Sequence, residues 1–189
     1  MPTVLETAAN DIANTHPFFT TFWSASGGVS GKRLAATKLL LYEVRGRPWN
    51  SLSADRTAFN GEVTKWNPRP AFGQAKDRVV AVLDRFAGAP FVAGETLLSR
   101  GSTFPAVYWA ISWTSGVQLP WVRDIINKLE GLPSPSTVSS ADRSRYQAAK
   151  SRPNESYANL LRAQIIMKYN APDVWPTMPQ EALVRTPSF

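Results

Sequence analysis

Apolar side chains recur every three or four positions along most of this chain, and no stretch alternates strictly between apolar and polar residues. The first spacing is that of a helix with one buried face, and the second would mark a strand. Thr3-Val4-Leu5-Glu6 reads as a capping box: Thr3 accepts from the amide of Glu6, whose carboxylate reaches back to Thr3. Leu5, Ala8 and Ile12 then share a face. Pro17 suits a first helical turn, where its missing N–H costs nothing. A helix carrying Phe18, Phe19, Phe22 and Trp23 should follow it and stop at Gly27-Gly28. Ser30 is a good N-cap for a segment running to about Arg45, whose Leu34, Leu39, Leu40, Leu41 and Val44 cover more than one face and so belong near the centre.

RPWNSLS (47–53) reads as a loop, and Ser53 starts a helix with Phe59, Val63 and Trp66 in register. Gly61 weakens that helix by about 1 kcal/mol relative to alanine, and NPRP (67–70) breaks it. The stretch AFGQAKDRVVAVLDRFAG places Phe72, Ala75, Val79, Val82 or Leu83, and Phe86 in one stripe, closed by Gly88 and Pro90. FVAGETLLSR reads as a short helix. Thr103 can cap TFPAVYWAISW, where Trp109 and Trp113 add a second apolar ridge to Phe104, Val107, Tyr108 and Ile111. Pro120 opens a helix with Val122, Ile125, Ile126 and Leu129. GLPSPSTVSS (131–140) is a flexible connector. Ala141–Lys150 and Asn154–Lys168 form a final pair, the second burying Tyr157, Leu160, Leu161, Gln164 and Ile165.

The expected fold is all-α: a single-domain multi-helix bundle with a flexible Pro/Ser linker before the last helical pair. Residues 1–131 make a helical core, 132–140 the linker, 141–170 a C-terminal helical pair packing on the core, and 171–189 an extended tail. No segment approaches the roughly 20 apolar residues that span a bilayer, and MPTVLETAAND lacks a basic signal-type start. With no cysteine, disulfides and thiolate metal sites are excluded, and a reducing cytoplasm fits. A single histidine, His16, excludes a histidine-rich metal centre, so no cofactor or metal is expected.

Charge changes the picture more than composition does. The formal net charge is +7, and all 21 basic residues lie between Lys32 and Arg185. Such an excess favours polyanionic partners through counterion release. The densest run is Arg143, Arg145, Lys150 and Arg152, followed by Arg162 and Lys168, with few acids between them. Seven-residue spacing puts Arg143 with Lys150 and Arg145 with Arg152 on shared faces, as a phosphate-tracking row requires. Arg143, Arg145, Lys150, Arg152 and Arg162 are thus the expected nucleic-acid contacts, with Lys32 and Arg33 at a helix start as a second patch.

Other candidates are weaker. SGGVSGKRLAATKLL (26–40) resembles a phosphate-binding loop but has serine where G-x-x-x-x-G-K-[ST] needs its first glycine and Arg33 where it needs a hydroxyl. It reads as a turn into a helix. His16 has no recognisable partner carboxylate or nucleophile beside it in sequence, and the acids stand singly next to basic neighbours. A hydrolase built from them has no spacing to argue for it, so no enzymatic activity is expected. Most tryptophans keep register with the core. Trp49 and Trp175, in proline-flanked loops, are the candidate partner-binding anchors, or else staples for their own loops.

RLAATKLLLYEVRGRPWNSLSADRTAFNGEVTKWN, with its Phe59-Asn60 pair, TFPAVYWAISW and RSRYQAAKSRPNESYANLLRAQII occur in an order that resembles the helical half of GmrSD-type restriction and phage-defence proteins. The resemblance covers about residues 16 to 170 and rests on apolar patterning. It implies a helical fold, a setting in defence against foreign DNA, and a ParB-like or nuclease partner subunit. That family's ParB-like domain, with its D-G-Q-x-R type motif, has no counterpart here, and neither has a His-Asn-His nuclease motif, so no catalytic residue carries over. The resulting expectation is a non-catalytic basic helical module contacting nucleic acid or a partner subunit in the cytoplasm. The alternative is a protein-interaction or assembly subunit, viral and phage structural proteins included, that docks through its aromatic loops.

Overall fold

The computed structural model describes residues 3–23, 28–45, 69–87, 103–113, 122–151 and 156–177. Within them lie seven α-helices, a π-helical turn and a short 3-10 turn, and no β-strand. The protein is an all-α multi-helix bundle. The helices expected over 53–66 and within 91–100 fall outside the described residues, as do Trp49, Arg152 and the tail beyond 177.

Helix α1 (Val4–Thr15) starts on the capping box, with Glu6 N–H donating to Thr3 Oγ1 at 3.2 Å and Thr3 N–H to Glu6 Oε2 at 2.9 Å. It buries Leu5, Ala8, Ala9, Ile12 and Ala13. The aromatic segment after it departs from the expected regular helix. Phe18–Phe22 forms a π-helical turn closed by Trp23 N–H on Phe18 O at 2.9 Å, four residues before the first of the two glycines. The wider turn lets Phe18, Phe19 and Trp23 all face inward. Phe18 sits at the hub of an aromatic cluster, its ring centroid 5.0 Å from Phe19, 5.0 Å from Phe86 and 5.4 Å from Phe104.

Gly28 does not close that segment but opens α2 (Gly28–Arg45), so Ser30 lies inside the helix rather than at its cap. Extending an established helix outward by a turn costs far less than nucleating one. Leu39, Leu40, Leu41 and Tyr42 are buried in succession, as expected for a helix covered on several sides. Helix α3 (Arg69–Ala87) carries Pro70 in its first turn, where proline is tolerated, and buries Ala75, Val79, Val82, Leu83 and Phe86. Helices α1, α2 and α3 pack together with the π turn as one half of the bundle.

The other half comprises α4 (Phe104–Trp113), α5 (Val122–Glu130), α6 (Ser140–Lys150) and α7 (Ser156–Asn170). Every side chain from Ala158 to Met167 is buried, so α7 is not an outer member of a pair but the central rod against which α4, α5 and α6 pack. The halves meet where α3 touches α4 and where Tyr42 of α2 stacks edge-on against Trp109, 4.2 Å between centroids. One continuous hydrophobic core runs through both.

The connector over 131–140 is tied to the bundle. Ser134 Oγ donates to Asp124 O at 2.6 Å, Ser139 N–H donates to Tyr169 Oη at 2.9 Å, and Val138 packs on the core. Beyond α7 the chain does not run extended at once: it closes a 3-10 turn at Trp175–Thr177, and Trp175 lies half-buried against the core.

Candidate functional site

The outward face of α6 is set by its cap. Ser139 Oγ accepts from Asp142 N–H at 3.1 Å and donates to Asp142 Oδ2 at 2.9 Å, which fixes the helix start and draws Asp142 inward. Tyr169 Oη donates to the same carboxylate oxygen at 2.5 Å, and Lys168 Nζ lies 2.8 Å from it. Burial pushes the Asp142 carboxyl up, but the donors Lys168, Tyr169 and Ser139 outweigh it and hold the group below its ordinary value. The acid that immediately precedes the basic run is thereby taken out of the surface. Ser140, Ala141, Arg143, Ser144 and Arg145 remain exposed around it.

Arg143 and Arg145 form no ion pair among the described residues. Arg143 leans towards the end of α5, where Lys128 joins it. Arg145 stands exposed on the same helix as Arg143. Lys168 is raised by its bond to Asp142, while burial and the neighbouring charge of Arg145 pull it down. Cations from three helices therefore border the α6 face. Lys128 escapes a sequence reading because 15 positions and a proline-rich connector separate it from Arg143. Only the packing of α5 on α6 joins them.

The rest of the expected row turns elsewhere. Arg162 is wholly buried on the central helix, so it is not a surface phosphate contact. Its Nη2 donates to Tyr146 Oη at 3.1 Å, and its guanidinium lies over the Tyr146 ring, 4.7 Å from the centroid. Lys150 bonds inward to the Glu130 carboxylate, whose side chain is 0% exposed and which also accepts from Thr103 Oγ1 at 3.0 Å and Tyr146 Oη at 3.1 Å. The seven-residue spacing placed Lys150 correctly on a face with Arg143, but a buried carboxylate within reach outbids solvent for its ammonium. Burial pushes Tyr146 up to about 12, so its hydroxyl keeps the proton it donates to Glu130. Burial also pushes Glu130 up, but the bonds from Lys150, Thr103 and Tyr146 prevail and its carboxyl sits below the ordinary value.

Of the second patch, Arg33 is exposed and Lys32 half-buried, both within α2. Gly31-Lys32 is therefore helix interior and not a phosphate loop. Arg152 and Trp49 lie outside the described residues. Trp175 packs against the core as a staple would.

His16 gains the partner its sequence neighbours lack. Its Nδ1 accepts from Phe18 N–H at 3.1 Å, which places the ring proton on Nε2, and Nε2 stands 3.2 Å from Asp84 Oδ1 without aligning as a hydrogen bond. With Nδ1 occupied by a backbone donor, neither nitrogen offers a free lone pair, and the residue caps the junction between α1 and the π turn. Among the described residues no group of His, Asp and Glu side chains could hold a metal ion, and no helix is long and apolar enough to cross a membrane. The chain matches no protein-family model, and comparison with curated proteins and with solved structures finds no significant similarity.

Proposed function

We propose that this protein is a non-catalytic helical module that contacts the phosphate backbone of nucleic acid through the outward face of α6. One observation carries the reading: Arg143 and Arg145 stand exposed and without ion pairs among the described residues, while Asp142, the acid just before them, is turned inward and bound. A net charge of +7 supplies long-range attraction to the same kind of partner. Arg33 and Lys32 on α2 form a second, smaller patch. The resemblance to restriction and phage-defence proteins supports a cytoplasmic setting in which a ParB-like or nuclease subunit performs the chemistry and this chain holds the polymer. Phosphate contacts of this kind position a protein on nucleic acid without reading its sequence.

The test is the double charge reversal Arg143→Glu with Arg145→Glu. Fluorescence anisotropy with a labelled oligonucleotide should show affinity falling by at least about tenfold at low salt. The slope of log affinity against log salt should become shallower by about two, one unit for each lost phosphate contact. Unchanged affinity and slope would refute the assignment.

A further inference from the structure

Between the C-terminal turn of α5 and the first two turns of α6 the surface dips into an open depression of about 400 Å3. Lys128, Val138, Ser140, Arg143, Ser144 and Gln147 line it, so two cations from different helices face it and, among the described residues, no carboxylate does. Its rim is built rather than incidental. Helix α5 ends in a Schellman motif, with Leu132 N–H on Asn127 O at 2.8 Å, Gly131 N–H on Lys128 O at 3.2 Å, and Gly131 at φ 82°. A Cβ on Gly131 would lie 2.7 Å from an Arg143 terminal nitrogen, so the missing side chain is what gives the guanidinium its resting place. Gln147 is anchored by its amide to the Leu129 carbonyl, and Val138 is fixed by packing on the core.

We infer that this depression is a phosphate seat, holding one phosphodiester of the bound nucleic acid between Lys128 and Arg143 with its sugar against Val138. The inference rests on the nucleic-acid reading above and names the subsite within it. A phosphodiester offers two non-bridging oxygens that share one negative charge to a lysine point charge and an arginine fork, and the Ser140 and Ser144 hydroxyls add neutral donors at the same wall. The volume falls within the roughly 300–1,000 Å3 typical of small-ligand sites and exceeds the needs of a lone carboxylate.

Two variants of the full chain test this. Lys128→Gln removes one charge. Gly131→Asn leaves the net charge unchanged and keeps a residue that tolerates positive φ, but its Cβ displaces the Arg143 guanidinium. Each should weaken oligonucleotide binding roughly five- to tenfold, and Lys128→Gln should reduce the salt slope by about one. A dinucleotide with a single phosphodiester should shift the NMR signals of the Arg143 side chain and the Ser144 amide. If the oligonucleotide binds both variants as it binds the parent, the seat is wrong while the α6 reading stands. If the parent retains no oligonucleotide at low salt, the nucleic-acid reading falls and takes the seat with it. If an acidic peptide shifts those signals and the dinucleotide does not, the depression belongs to a protein partner and the inference is overturned. Should Gly131→Asn fail to fold by circular dichroism, Lys128→Gln and the dinucleotide decide the matter.

Discussion

Glu130 keeps no solvent-exposed side-chain surface, yet its carboxylate stays ionised because Lys150, Thr103 and Tyr146 all donate to it. Burial without those donors would favour the protonated acid. Lys150→Met removes the cation bonded to Glu130 and leaves Arg162 Nη2, 4.0 Å from Oε1, as the remaining counter-charge, so the cost should stay at or below the about 3 kcal/mol of buried charges left wholly uncompensated. The urea midpoint should fall accordingly, with the slope of the transition unchanged. Oligonucleotide affinity of the folded variant should stay within about twofold of the parent, because this ammonium is already held by the buried Glu130 carboxylate. A tenfold loss of affinity would instead return Lys150 to the binding surface. Arginine and lysine in one basic run thus divide between two tasks according to whether a buried acceptor lies within reach.

At the scale of elements, α6 is held by its first turn. Ser139 Oγ both caps the helix and orients Asp142, which in turn engages Lys168 and Tyr169 of α7. Ser139→Ala should lower stability by about 1 kcal/mol through the lost cap. It should also loosen the α6 face, measured as faster amide exchange at Ala141, Asp142 and Arg143. Wild-type exchange rates there would show that Asp142 alone suffices to fix the turn. The π turn at Phe18–Phe22 is the other element with a consequence beyond itself. Its extra residue per turn brings Phe18 and Trp23 onto the same cluster as Phe86 and Phe104, joining the N-terminal helices to α4.

For the molecule as a whole, two carboxylates among the described residues make stability depend on acid pH. Glu130 and Asp142 both have folded values below their ordinary ones, so the unfolded chain takes up protons first as pH falls. Their contribution is fully present above the unfolded values, near pH 4 to 4.5, and is lost as pH drops through the lower folded values. Urea unfolding between about pH 6 and pH 3 should therefore show stability declining below roughly pH 4.5, and Asp142→Asn should flatten part of that decline. A decline of equal size in Asp142→Asn would assign the effect to other acids. Lys168 behaves oppositely: raised in the folded state, its contribution is lost only as pH climbs through that raised value in the alkaline range.

The sequence by itself determined the helical class, the capping box at Thr3, and the buried stripes Leu5–Ala8–Ile12 and Val79–Leu83–Phe86. Each depends on contacts three or four residues apart, and local spacing encodes those contacts directly. It also located the basic run that contains Arg143 and Arg145. Only the tertiary structure decided which of those cations face solvent, because that choice depends on acceptors far along the chain: Glu130 for Lys150, and Tyr146 with α7 fully enclosed for Arg162. The same holds for Lys128 beside Arg143 and for Asp84 beside His16. Helical periodicity reports that a face is buried but not what covers it, and a charge on a covered face is spent on a partner that no local pattern can name.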